Sequence, residues 1–497
     1  MQISIAFASR GRYIYRPMNK TPYFPAFRPK LAALGRRAAS IRNHSAQEVE
    51  SEFGRYVPKN MFQPPAAGTG SRKRHFPWDR TFWCFLWQAL QSKTSCRAVV
   101  RKVQAQSENQ RLQFDENTSA YCQARKRLPQ ERLEKALHCS AESADHIAGN
   151  IVPGWNRPIK VVDATSFRMP DTPANRKEFT YPAGQKKGCG FPVAKALALF
   201  SLASGALSHI VTAKWSAPEL GLLQTLWYSI QKNDILLGDR AYGVYAVIAN
   251  LRLRLADGVF RLHQARLFDK RKAKKIGHND WLITWHKPLY QKAPYLTDKQ
   301  WAELPDSLTV RIIYTRIDVK GFRTRELWIV ATLLDPVLFP SQLIIDLYFR
   351  RWEMEVCFRD IKTTMGMEDL RCLSPAMIQK EILIFLIAHN CIRALIVETA
   401  RSHDISRRRI SFKGTVDTVR SFHSELIHAL SLRRFNRLRR RMMEIIAADV
   451  LPLRPNRSEP RAVKRRPKKF HLLNKPRHLM GNLPHLNYPS KGSKKHA

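Results

Sequence analysis

Between Leu343 and Lys362 the chain reads LIIDLYFRRWEMEVCFRDIK, and its chemically distinctive residues recur at helical spacing. Tyr348, Arg351, Glu355 and Lys362 stand at offsets of zero, three, seven and fourteen. At about 100° per residue they fall within an arc of roughly 60°, so one helix face would carry a phenol, a guanidinium, a carboxylate and an ammonium. Such a face suits a metal-bound phosphodiester. The carboxylate can hold a divalent cation, Arg351 can grip phosphate oxygens bidentately, and Lys362 can act on them as a point charge. Taken alone, the window also describes a salt-bridged surface helix with Arg351 and Glu355 paired at i,i+4.

The charge balance asks for a polyanionic partner. In 497 residues there are 85 Lys+Arg against 40 Asp+Glu, a formal charge of +45 that the chain cannot compensate internally. Nucleic acid is the first candidate. No run of about 18 apolar residues suggests a span, and the basic residues are spread over the whole length, so no membrane partner is expected. A hydrophobic content of 44% allows a large core, and the length suggests about three domains. The eight cysteines show no C-x-x-C pair, which reads as reduced thiols in a cytosolic protein and not as zinc ligands or disulfides.

The first sixty residues have no acid before Glu48. They superficially match an organellar transit peptide, but a mis-assigned start is the preferred reading, with Met18 and Met61 available downstream. Residues 1–70 are expected to be a disordered leader, without the apolar core of a secretion signal. From residue 71 to 150 a helical period appears, with Phe82, Phe85, Leu86, Ala89 and Leu90 repeated by Val99, Val100 and Val103. The cations Arg72, Lys73, Arg74, Arg97, Arg101, Lys102, Arg125, Lys126 and Arg127 assign this helical domain to recognition of DNA ends; a structural cap on the next domain is the alternative.

After Pro153 and Pro158, Ile159-Lys160-Val161-Val162 runs as a short strand into Asp163. Two further apolar runs flank Ser204-Gly205, a helix is expected over 218–230, and Ile235 to Gly238 forms another strand ending in Asp239. Three strands, a helix and a strand, with acids closing the first and the last, is the order of a ribonuclease H-like domain. Its first part is placed at 155–241, a β-rich insertion at 242–335, and its second part, with one continuous helix over 340–362 and a long buried helix after it, at 336–400. A helical basic C-terminal region (401–452) and a basic disordered tail (453–497) complete this α/β reading.

An acid closing a strand is by itself commonly a helix cap or a turn residue. Together, however, Asp163-Ala-Thr-Ser-Phe, Gly238-Asp239-Arg240-Ala-Tyr242-Gly243 and the Tyr348, Arg351, Glu355, Lys362 helix resemble, in order, the blocks of DDE transposases of the insertion sequence four family. Asp115-Glu-Asn-Thr-Ser-Ala-Tyr121-Cys-Gln-Ala-Arg125 extends the resemblance upstream, so that it covers most of residues 72–420. Ala164 departs from the glycine common in relatives, which would affect a turn after the first acid.

The resemblance implies strand cleavage at transposon ends and transfer of the free 3′-hydroxyl into target DNA. Asp163, Asp239 and Glu355 would hold two ions, Mg²⁺ or Mn²⁺, because a pair of hard cations about 4 Å apart needs shared anionic oxygens. Tyr348, Arg351 and Lys362 would contact DNA, and Trp328 would receive a base flipped from the DNA end, although in Glu326-Leu-Trp-Ile-Val it also reads as a core residue. The implied setting is double-stranded DNA held by a homodimer, in a bacterial, nucleoid-associated and cytoplasmic location. A ribonuclease H-like endonuclease without strand transfer, a non-catalytic DNA-binding protein and a decayed copy are the rivals.

Overall fold

The computed structural model describes residues 52–63, 75–91, 94–106, 117–149, 152, 154–186, 188–263, 269–289, 293–317, 326–427, 429, 431–453 and 473–480. The leader before residue 52, Arg72 to Arg74, Asp115-Glu116, Lys320-Gly321 and most of the basic tail lie outside them. Strands β1 (Ile159–Arg168), β2 (Val193–Ser201), β3 (Leu207–Lys214), β4 (Ile235–Gly238), β5 (Asp257–Arg261), β6 (Lys274–Gly277), β7 (Asp280–His286), β8 (Ser307–Arg316) and β9 (Glu326–Ala331) make one mixed sheet. Their order is β3-β2-β1-β4-β5-β9-β8-β7-β6.

The first five strands frame the acids. β1, β2 and β3 form an antiparallel meander, and β4 and β5 add in parallel on the other edge of β1. Parallel strands are covered on both faces and read as continuous apolar runs, which is why Ile235, Leu236 and Leu237 are all buried. The expected insertion at 242–335 is corrected here. Its first strand, β5, belongs to the parallel frame, and β6 to β9 prolong the same sheet by antiparallel pairing instead of forming a separate layer. Composition marks strands but not their partners, so the boundary was set too early.

Around the sheet lie helices α1 (Trp78–Leu90), α2 (Cys96–Gln106), α3 (Ser119–Arg127), α4 (Gln130–Ala148), α5 (Pro173–Phe179), α6 (Glu219–Gln224), α7 (Tyr245–Leu253) and α8 (Asp298–Ala302). After the sheet come α9 (Ser341–Arg350), α10 (Glu353–Arg359), α11 (Pro375–Ser402), α12 (Phe412–Ile427) and α13 (Leu432–Ala448). The helix expected over 218–230 is shorter, because α6 gives way to a 3₁₀ turn at Trp227–Ser229. By length and composition α11 could cross a membrane, contrary to the sequence reading, yet 89% of its apolar window is buried inside the protein. Asn390 locks it to the β2–β3 hairpin, accepting from the Leu207 amide at 2.8 Å and donating to the Leu207 carbonyl at 2.9 Å.

Three further expectations change. Residues 52–63 are folded, not a leader: Phe53, Tyr56, Val57 and Phe62 are buried, and Glu52 pairs with Arg439 at 3.1 Å. Part of the tail also docks, with the Leu473 amide on the Cys189 carbonyl at 3.0 Å and Arg477 on the Gly190 carbonyl at 2.9 Å. Among the N-terminal cations, Arg125 lies 4.9 Å from the Phe85 ring centroid and Lys102 4.2 Å from that of Trp87, so both pack inward while Arg97, Arg101 and Lys126 stay exposed. Long cationic stems cover aromatic surface as readily as they face water, and helical spacing does not distinguish the two. All eight cysteines are free.

Candidate active site

The sheet register brings the first two acids together. In the parallel pair β1–β4, Val161 stands opposite Leu237, so two residues further on Asp163 is level with Asp239. β4 ends at Gly238, just before that point. β1 does not end at Asp163, as expected from sequence; it continues to Arg168 because its other edge stays paired with β2. Asp163 therefore lies within a strand that is open on the β4 side. No turn follows it either: Ala164 is paired with Leu197, and glycine is not required there. The glycines around Asp239 do have a packing reason. A Cβ at Gly238 would come within 2.9 Å of the Tyr242 ring, and one at Gly243 within 2.9 Å of the Arg261 carbonyl oxygen.

The third acid arrives on a helix that is not continuous. α9 stops at Arg350, Arg351 and Trp352 form a turn, α10 restarts at Glu353, and Asp360–Thr364 is a π-helical segment. The Arg351 and Trp352 amides bond back three residues, to Tyr348 and Phe349, whereas the Met365 amide bonds back five, to Asp360. The single straight face expected from ideal 3.6-residue periodicity is thus replaced by a tightened turn followed by a loosened one. Arg351 still reaches Glu355, at 3.1 Å, and its other amino group stands 4.0 Å from Asp163. Lys362 is turned toward β1, where it donates to Thr165 Oγ1 at 3.2 Å.

Charge is concentrated here. Burial pushes the Asp163 carboxyl up to about 6; the Ala164 amide and Arg351 oppose this, and Asp239 and Glu355 add to it. Burial works against the Arg351 charge, but Tyr348, Asp163 and Glu355 outweigh it and hold the guanidinium above its ordinary range. The Arg351 Nε is buried and has no hydrogen-bond partner. Burial raises the Tyr348 phenol, with Arg351 and Arg261 acting in the opposite direction, and burial lowers the Lys362 ammonium. Trp328 lies on β9, beside β5, where its carbonyl accepts from the Leu262 amide at 2.8 Å. Its half-buried ring is 4.6 Å from Tyr314 and 6.1 Å from Trp281 by centroid, with Lys270 over both tryptophans.

Several contributors were missed from sequence. Thr165 seats Lys362, and Arg261, at the end of β5, faces Tyr348. Glu353 binds Arg350 and Arg407, both at 2.8 Å, which ties the start of α10 to the loop after α11. Burial would raise the Glu353 carboxyl, but Arg407 and Arg350 hold it below the usual carboxylate range. A fully buried Arg311 grips Asp280 and donates to the Phe339 carbonyl at 2.7 Å, fixing the approach to α9. Thr165 and Glu353 lie within the blocks quoted from sequence, Asp163-Ala-Thr-Ser-Phe and the helix of Tyr348 to Lys362, but nothing in their spacing points to the partners they take.

Among the described residues, no three His, Cys, Asp or Glu side chains stand close enough together to hold a metal ion. The guanidinium of Arg351 lies between two of the three acids. The donor set nonetheless fits hard divalent cations: all three groups are carboxylates, and a bound cation offsets both the burial that raises Asp163 and the smaller repulsion that Asp239 and Glu355 add.

Residues 154–391 match the transposase DDE domain family, and this span contains all three acids and the whole sheet. Over that span the chain carries a transposase DDE domain, which makes it an enzyme of DNA cleavage and transfer. It is 25% identical over 442 residues to the transposase InsG for insertion sequence element IS4 of Escherichia coli strain K12, covering 86% of this chain and 95% of that one. A structural comparison also pairs it with the piggyBac transposase in a synaptic complex with hairpin DNA, at a TM-score of 0.36 and 11% identity, over 83% of this chain and 85% of that one. That likeness is too weak to bear on the fold or the site.

Proposed function

We propose that this transposase cleaves DNA at the ends of an insertion sequence and joins the freed 3′-hydroxyl to target DNA, acting as a homodimer on duplex DNA. The observation that carries this reading is the register that sets Asp163 level with Asp239, together with Arg351, which reaches both Asp163 and Glu355. The strand order β3-β2-β1-β4-β5, antiparallel then parallel, with an acid on β1 and one just after β4, supports a ribonuclease H-like core.

Asp163, Asp239 and Glu355 would hold two Mg²⁺ or Mn²⁺ ions, which when bound would supply Lewis-acid activation of the attacking hydroxyl and stabilise the leaving oxygen. The remaining chemistry falls to the chain itself. Arg351, with a buried and unpartnered Nε, is placed to turn its guanidinium from the carboxylates to phosphate oxygens once their charge is neutralised. Lys362, oriented by Thr165, holds a second phosphate oxygen as a point charge. The raised Tyr348 phenol stays protonated and donates a hydrogen bond. Trp328 receives an extruded base on its exposed side.

The test is a joining assay with a donor carrying the element's inverted repeats and a labelled target plasmid. Covalent products linking donor 3′ ends to target 5′ phosphates are expected. Cleaved donor with no joined product at any target concentration would instead identify an endonuclease without strand transfer.

A further inference from the structure

Helix α13 carries more charge than its folding uses. One side lies inside the protein, where Met442, Met443, Ile446 and Ala447 are buried and Arg439 pairs with Glu52 at 3.1 Å and Glu398 at 2.8 Å. The opposite side exposes Arg433, Arg434, Arg437, Arg440 and Arg441. Arg441 has Glu444 at 3.0 Å. Among the described residues, no ion pair engages the side chains of the other four.

Placement adds to the argument. Arg433 and Arg434 sit in the first turn, which holds no acid, although the helix dipole disfavours cations there. A helix optimised for its own stability would carry the opposite charge at that end. Arg433, Arg437 and Arg440 recur at i, i+4 and i+7, and at about 1.5 Å per residue they span roughly 10 Å of one face. Phosphates on one strand rise by about 3.4 Å each along a duplex, so such a row can meet several of them. A lipid surface fits less well, since the apolar residues an interfacial helix would insert are packed inside, leaving Leu432 and Ile445 as its exposed apolar side chains.

We propose that the exposed arginine face of α13 binds the phosphate backbone of duplex DNA without reading its sequence. This rests on the proposal that DNA is the substrate, and it places a second DNA contact on an element that carries none of the catalytic carboxylates. The test uses the full chain, a random-sequence duplex and no divalent metal. In one variant Arg433, Arg434, Arg437 and Arg440 are all changed to Gln; in a control the exposed Lys135, Lys177, Lys232 and Lys299 are changed to Gln, removing the same charge. Each neutralised phosphate contributes about 0.9 to the slope of log affinity against log salt. The α13 variant should lose about two or more from that slope and bind at least tenfold more weakly at fixed salt, and the control should lose less than one. Arg→Lys at the same four positions should restore the slope, which separates charge from any folding defect.

Equal losses in both Gln variants would mean diffuse charge and overturn the assignment, as would an unchanged slope. Loss of binding to anionic phosphatidylserine vesicles with duplex binding intact would assign the face to lipid and overturn it too. Because binding is measured without metal in chains that keep Asp163, Asp239 and Glu355, a negative result leaves the catalytic reading standing.

Discussion

Asp163 is a carboxylate that the fold makes costly to ionise in the absence of a cation. Its pKa is raised to about 6, so between about pH 4 and pH 6 the folded chain holds a proton that the unfolded chain has released. Stability contributed by that protonated state is present at low pH and is lost as pH rises through 6. In EDTA, urea unfolding of Asp163→Asn is expected to show a gain over wild type at pH 7 that shrinks toward pH 4; a constant difference across that range would contradict the shift. Arg351 answers this carboxylate and Glu355 together. Arg351→Ala and Lys362→Ala should each weaken cleavage and transfer by about 1.5–3 kcal/mol if their charge-assisted contacts are desolvated. Arg351→Lys should not restore the rate, since an ammonium lacks the planar fork. Wild-type kinetics for Arg351→Lys would reduce Arg351 to a helix salt-bridge partner.

At the scale of elements, sequence periodicity foretold contacts better than shape. Arg351 and Glu355 meet at i,i+4 as the spacing requires, yet the helix around them is broken at Arg351-Trp352 and ends in a π turn. Ideal periodicity has no means of expressing a turn that tightens and then loosens. The strands were legible from their apolar runs, but that Asp163 sits within β1 depends on where β4 stops, and pairing length is not written in one strand's residues. For β9 the question is what Trp328 does beside Tyr314 and Trp281. Trp328→Ala should leave first-strand nicking intact and slow the later step that needs an extruded base, by about 1–3 kcal/mol. A lowered melting temperature with parallel loss of every step would make it a structural residue of the aromatic stack.

Across the whole molecule, the N-terminal segment and the C-terminal helices are held together by charge. Glu52 and Glu398 meet the buried Arg439, and Tyr56 donates to Glu398 at 2.7 Å. Sequence reading placed residues 52–63 in a leader because the stretch is short and lacks a sustained period, and a single buried ion pair leaves no pattern to detect. Stranding a buried charge outright costs about 3–5 kcal/mol, and removing Glu52 leaves Arg439 with Glu398 as one acid in place of two. Deleting residues 1–60 should therefore lower the melting temperature sharply, and Arg439→Met in the truncated chain should recover part of the loss; a truncation without thermal effect would show that the pair does not anchor the C-terminal helices.

The catalytic claim is tested most directly by cleavage of a supercoiled donor in Mg²⁺ with Asp163→Ala, Asp239→Ala and Glu355→Ala, with binding to the transposon end measured alongside. Each substitution removes an anion from the cation site and leaves the phosphate-binding cations in place. Each variant is expected to bind the end and to lose cleavage, and cleavage by any one of them at close to the wild-type rate would contradict the three-carboxylate site.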